Sequence, residues 1–192
     1  TIAAQGSRTT RLGVARYLIA RSQPNLAAQI LGSEADQDGR GSSADAKALY
    51  ATALYKQGNA AAARLIADEI LADDKNNIDA LLVRSRISLQ QRDLNAALND
   101  AQIVVRDFPM SEQGRTLLAE IYLARKDPQR AKQTYEEAVS ENPQSIAISR
   151  AYTQYLLKTG NAARAIDVAR TFTRKSPSSV PGWDLLANVC KQ

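Results

Sequence analysis

Residues 112–145 read EQGRTLLAEIYLARKDPQRAKQTYEEAVSENPQS. Within them RTLLAEIYLAR carries apolar residues at helical spacing, Lys126-Asp127-Pro128 interrupts the run, and QRAKQTYEEAVSE resumes it until Asn142-Pro143. The spacing predicts two helices of about 12 to 14 residues. Ser111 precedes the first and Asp127 the second. Both are residue types whose side-chain oxygen accepts from the free N–H groups of a first helical turn. Pro128 follows directly, at a position where its missing N–H costs nothing and its fixed φ suits the helix. The stretch is a helical hairpin.

Each part of that hairpin recurs 34 residues away. Ser43, Asn77, Ser111, Ser145 and Ser179 form one row of caps, Asn59, Asp93, Asp127 and Asn161 a second, and Pro109, Pro143 and Pro177 stand two residues ahead of first-row caps. Small residues keep the same period: Ala51, Ser85, Ala119, Thr153 and Ala187 in the first helix, Ala63, Ala97, Ala131 and Ala165 in the second. Small side chains at these places let two helices cross closely. A period of this size marks an array of helical hairpins. Full units are expected at 44–77, 78–111, 112–145 and 146–179, with a partial unit or capping helix at 180–192. Residues 1–43 are expected to form a degenerate hairpin plus a polar connection. There Ser7 caps a helix reaching Arg21, Ala15 and Ala27 take the small places, and Pro24 aligns with Pro128. The interval from Ser7 to Ser43 is 36, however, and Gly32 opens a polar stretch of flexible composition.

These residues resemble the tetratricopeptide repeat family. Leu118, Ala119, Tyr122, Ala131, Tyr135, Ala138 and Pro143 match its pattern best, followed by Tyr152, Leu156, Ala165, Ala169, Phe172 and Pro177. Weaker matches are Leu81, Ala97, Ala101 and Pro109, then Tyr50, Ala51, Leu54, Gly58 and Ala63, while Trp183, Leu186 and Ala187 supply the opening triplet of a last unit. The resemblance implies an all-α fold, a right-handed superhelical solenoid of antiparallel helix pairs, with the first helices lining a concave groove. Projected on that geometry, Thr52, Arg86, Glu120, Gln154 and Asn188 form one groove row; Ala48, Leu82, Thr116, Arg150 and Asp184 form a second. Tyr55, Leu89, Leu123 and Leu157 form a third. Aliphatic and polar ridges of this kind suit a partner peptide or amphipathic helix, with Arg86 and Arg150 placed to hold a carboxylate. The carboxylate clamp of chaperone-tail-binding members is absent. Its places fall on Ala48, Thr52, Val83, Gln113 and Leu117, or one unit on, on Leu82, Arg86, Leu117, Ala147 and Ala151.

Two positions depart from the ladder. Arg84 stands where other units have Tyr50, Leu118, Tyr152 and Leu186, and needs an acidic partner or an escape to water along its stem. Cys190 takes the place of Tyr122 and Leu156 and reads as a small apolar residue of the last helix.

Composition narrows the function. The chain has no His and one Cys, and no glycine-rich phosphate loop, so catalytic, metal and cofactor roles are not expected. Adjacent acids such as Asp73-Asp74 and Glu136-Glu137 point apart on a helix and read as surface or cap residues. The net charge of +5 prompts a second reading, an RNA or single-stranded nucleic-acid-binding helical repeat. Against it, Glu120 interrupts the first groove row, and the pairs Arg125-Lys126 and Arg174-Lys175 read as solvated faces. No run reaches the ~20 apolar residues of a transmembrane helix, and the polar start at Thr1 lacks the blocks of a signal peptide. The compartment stays open: cytoplasmic, or periplasmic and envelope-associated with a targeting segment upstream. The expectation is a non-catalytic scaffold or adaptor that gathers a protein partner. By analogy with bacterial members of the family, its place would be in an envelope assembly such as a pilus, secretion system or polysaccharide exporter.

Overall fold

The computed structural model describes residues 7–35 and 44–191. These form eleven α-helices, and no strand occurs among the described residues. The helices are α1 (Arg8–Ala20), α2 (Pro24–Ala35), α3 (Ala44–Lys56), α4 (Ala60–Asp73), α5 (Ile78–Gln90), α6 (Leu94–Asp107), α7 (Glu112–Ala124), α8 (Pro128–Glu141), α9 (Ile146–Lys158), α10 (Ala162–Lys175) and α11 (Val180–Cys190).

Helix starts fall where the cap rows place them. The side chains of Asn77, Ser111, Ser145 and Ser179 accept from the N–H three residues on. Asn59, Asp93, Asp127 and Asn161 do the same for the second helices, and Ser7 for α1. Each such cap contributes about 1 kcal/mol. Ser43 lies outside the described residues. The polar stretch opened by Gly32 is helical at its start, because α2 continues to Ala35.

A further period appears only in the backbone. Gly58, Arg92, Lys126 and Gly160, each 34 residues from the next, have φ of 87°, 65°, 61° and 76° at the turn inside their hairpins. Glycine enters this left-handed region without penalty, whereas Arg92 and Lys126 hold it against a steric cost of about 1–2 kcal/mol.

The chain divides into two compact units, Thr1–Asp107 and Phe108–Gln192. In the first, each of α1 to α6 packs on the next, and α3 also meets α1 and α5. In the second, α7 to α11 pack in sequence, and α9 also meets α7 and α11. Ala63, Ala97, Ala131 and Ala165 are fully buried, as are Ala51, Ser85 and Ala119, with Thr153 at 1% exposure. Ser85 Oγ donates to the Ala97 carbonyl at 2.8 Å, which places the two small rows against each other at the α5–α6 crossing. Ala187 departs from its row and is exposed, because among the described residues no helix follows α11 to cross it.

The core of the second unit gathers Ala119, Tyr135, Tyr152, Leu156, Ala165, Val168 and Ala169, with Leu185 and Val189 from α11. Ala119→Leu forces three extra carbons into this packing. The variant is expected to lose about 1–3 kcal/mol of unfolding free energy, read as a lower urea midpoint with unchanged slope. A wild-type midpoint would contradict the crossing.

Candidate functional site

The expected groove residues are placed by the first helices, and the two units present them differently. In the first unit Thr52 and Tyr55 on α3, and Arg86 and Leu89 on α5, are half-buried. Thr52 turns its hydroxyl inward, donating to the Ala48 carbonyl at 2.9 Å. Leu82 is not on display: at 5% exposure it belongs to the packing, as does fully buried Ala48 in the same row. The apolar members of that row are drawn into helix contacts, and its polar members stay at solvent. Thr116 is half-buried and Arg150 exposed. Among the described residues neither Arg86 nor Arg150 has an acidic partner.

In the second unit three groove residues converge. Glu120 and Leu123 on α7 and Gln154 on α9 line a cleft of about 290 Å³, together with Tyr135, Ala151, Tyr155, Lys158 and Thr159. Glu120 and Lys158 give it one charge of each sign. Leu123, 36% exposed, and Ala151 give it apolar surface. Thr116, Arg150, Leu157 and Asn188 stay outside its wall.

Tyr135 and Tyr155 of the cleft wall belong to a cluster of three tyrosines whose third member, Tyr152, is buried behind them. Tyr135 on α8 stacks on Tyr152 of α9 with centroids 5.5 Å apart and planes at 18°, and meets Tyr155 at the same distance. Tyr152 and Tyr155 stand 6.3 Å apart. Tyr155 donates to the Pro128 carbonyl at 3.3 Å, and Tyr152 donates to Glu136 Oε1 at 3.2 Å. Burial, and then the Glu120 carboxylate, push the Tyr135 phenol well above its ordinary pKa. Burial followed by Glu136 raises the Tyr152 phenol from its ordinary value, with Arg164 acting against them. Both phenols therefore stay neutral hydrogen-bond donors near neutral pH.

Sequence reasoning placed Glu120, Leu123 and Gln154 but not Tyr155 or Lys158. Tyr155 had a signal: its row otherwise holds Ala53, Ile87, Ile121 and Val189, all buried, so a half-buried Tyr there is the exception.

Arg84, the charged residue in an apolar row, is explained by its partners. Its guanidinium grips Asp100 of α6 through Nε at 2.8 Å and Nη2 at 2.9 Å, and reaches Asp68 of α4 through Nη1 at 3.2 Å. The bonds to Asp100 raise its pKa further. The pair is structural and leaves no charge for a ligand.

Among the described residues no group of three or more His, Cys, Asp or Glu side chains is placed to hold a metal ion, and no helix is long and apolar enough to cross a membrane.

Two tetratricopeptide repeat models match the sequence, one over residues 122–189 and one over 82–146. No protein of curated function matches it. Among solved structures, a thermophilic tetratricopeptide repeat protein of Thermus thermophilus is similar with a TM-score of 0.80 at 14% identity, over 97% of this chain and 100% of that one. PilF of Pseudomonas aeruginosa is similar with a TM-score of 0.67 at 19% identity, over 96% and 83%. A tetratricopeptide repeat protein of Parabacteroides merdae gives 0.58 at 14%, over 93% and 70%. At such identities the likeness shows the fold: an all-α solenoid of antiparallel helix pairs.

Proposed function

We propose, from the premise that this chain belongs to the tetratricopeptide repeat family, that it is a non-catalytic scaffold holding a segment of a partner protein at the cleft between α7 and α9. The observation that carries this reading is the convergence of Glu120, Leu123 and Gln154, residues of two different repeats, on one cleft with both polar and apolar walls. Its volume of about 290 Å³ lies at the lower edge of the ~300–1,000 Å³ common for small-molecule sites. One large side chain of a peptide fills such a space, with Glu120 and Lys158 at hand to orient the peptide's polar groups. The narrower reading, a role in an envelope assembly of the pilus, secretion or polysaccharide-export kind, has in its favour the fold shared with PilF.

Leu123→Glu tests the cleft at a position exposed enough to spare the fold. Affinity capture from the native host is expected to recover partner at least about tenfold less with this variant than with wild type. Leu65→Glu, at a 72% exposed position on α4, is expected to leave recovery unchanged. Equal recovery by the Leu123 variant would remove the cleft from the binding surface. Equal recovery by an Arg86→Glu, Arg150→Glu double variant would remove the two arginines.

A further inference from the structure

Two of the side chains that line the α7–α9 cleft break the repeat. Glu120 is the one acid in a row that otherwise holds Thr52, Arg86, Gln154 and Asn188, and Tyr155 is the one aromatic in a row of Ala53, Ile87, Ile121 and Val189. The other units stack without either. Both departures border the same space of about 290 Å³, with Tyr135 of α8 also at its wall. Glu120 is exposed and has no hydrogen-bond or ion-pair partner among the described residues. Lys158, also exposed, has none either, so the two charges share a cleft without bridging one another.

The charges around the cleft are not balanced. Lys158 stands in the last turn of α9, where its ammonium is set against the negative end of that helix, and the C-cap Thr159 lines the cleft beside it. Glu120 lies in the interior of α7, remote from the positive end of its own helix. Its carboxylate is near enough to Tyr135 to help hold that phenol neutral. Tyr155 donates its hydroxyl to the Pro128 carbonyl at 3.3 Å, so it adds ring surface to the cleft rather than a donor for an anion. Gln154 holds on α9 the place that Glu120 holds on α7, and its side-chain amide has no hydrogen bond among the described residues. Leu123 and Ala151 complete the wall with apolar surface.

We propose that the cleft receives an arginine side chain of the partner segment, its guanidinium on the Glu120 carboxylate and its stem along Leu123 and Ala151. The proposal rests on the reading of this cleft as the binding surface and names what enters it. A guanidinium gives two N–H bonds to a carboxylate while its flat face lies against a tyrosine ring, and a further N–H is left for the Gln154 amide oxygen. A lysine ammonium is compact, strongly hydrated and makes no such paired contact. A partner carboxylate or phosphate would meet Glu120 and the negative end of α9. A purely apolar side chain would cover Glu120 with nothing to compensate its charge.

The probe is the capped peptide Ac-Ala-Ala-Arg-Ala-Ala-NH2, titrated into the isotope-labelled chain and followed by amide chemical shifts. Matched peptides carry citrulline, Lys, Glu or Leu at the centre. Saturable shifts are expected at the amides of Glu120, Leu123, Gln154 and Tyr155 with the Arg peptide. The citrulline peptide, which keeps the shape and loses the charge, is expected to bind at least about tenfold more weakly. Glu120→Gln changes an exposed, unpaired side chain, so its thermal unfolding matches wild type while the preference for Arg over citrulline disappears. Tyr155→Ile, matching Ile87 and Ile121 of its row, weakens the Arg peptide by about two- to fivefold and keeps that preference. Absence of shifts at these amides, citrulline or Lys binding as tightly as Arg, or a preference retained in E120Q overturns the proposal. Tighter binding of the Leu or Glu peptide at the same amides overturns it too, yet leaves the cleft as a binding surface for another side chain. Failure of the cleft itself is read separately, from partner capture by the Leu123→Glu variant.

Discussion

Arg84→Leu lowers the unfolding free energy by about 3–5 kcal/mol, although it restores the residue type that Leu118 supplies one repeat later. The cost comes from Asp100. Its side chain is 4% exposed, and both carboxylate oxygens accept N–H bonds from Arg84. Without the guanidinium a charged carboxylate stays in the packing with no compensation. Asp100→Val costs less, because Arg84 is 27% exposed, keeps Asp68 and extends toward water along its stem. The double variant R84L/D100V is expected within about 1 kcal/mol of wild type, since apolar residues of similar volume replace a buried ion pair at little net cost. The chain already uses an apolar residue of each row elsewhere, Leu118 in one and Val168 in the other. Urea unfolding of the two single variants and the double gives the coupling energy directly. A wild-type midpoint for R84L would show that Asp100 finds water or another donor.

That pair also marks how far the sequence was legible. The 34-residue cap rows gave the starts of α4 to α11, because caps and breakers act through their own neighbours in the chain, whereas α1 and α2 start off that period. It singled out Arg84 as foreign to its row but did not supply Asp100, which is sixteen residues away on the next helix. The signal was present in the rows: Ile66, Thr134 and Val168 occupy the place of Asp100, so one charge stands among uncharged residues, as with Arg84. The groove was read less well. A 34-residue repeat fixes where a side chain sits on its helix, but what covers it depends on the size and polarity of its neighbours. The row of Ala48, Leu82, Thr116 and Arg150 accordingly runs from fully buried to exposed. The left-handed turns at Arg92 and Lys126 were hidden for another reason. The equivalent Gly58 and Gly160 announce that conformation, and a charged residue in the same turn does not.

Tyr152→Ala is the other large effect, expected at about 3–5 kcal/mol, because it empties the middle of the second unit's core. The side chain is 1% exposed, stacks on Tyr135 and lies beside Tyr155. Tyr152→Phe keeps the ring and removes only the hydroxyl bonded to Glu136, a loss of about 0.5–1.5 kcal/mol. The contrast separates packing from hydrogen bonding, and near-UV circular dichroism follows the surviving tyrosines. The same core is sensitive to alkali. Burial holds the Tyr135 and Tyr152 phenols above their ordinary 10.0, so the folded chain keeps both neutral while the unfolded chain ionises. Their contribution is complete below that value and is lost as pH rises beyond it. Tyr152→Phe removes one of the two groups and is expected to flatten the alkaline decline; an unchanged decline would place it elsewhere. Because Tyr135 and Tyr155 also line the α7–α9 cleft, the two variants carry the argument from stability to binding. If the cleft holds its partner through a wall set by ring packing, Y152F binds as wild type does and Y152A binds weakly even at temperatures where it remains folded.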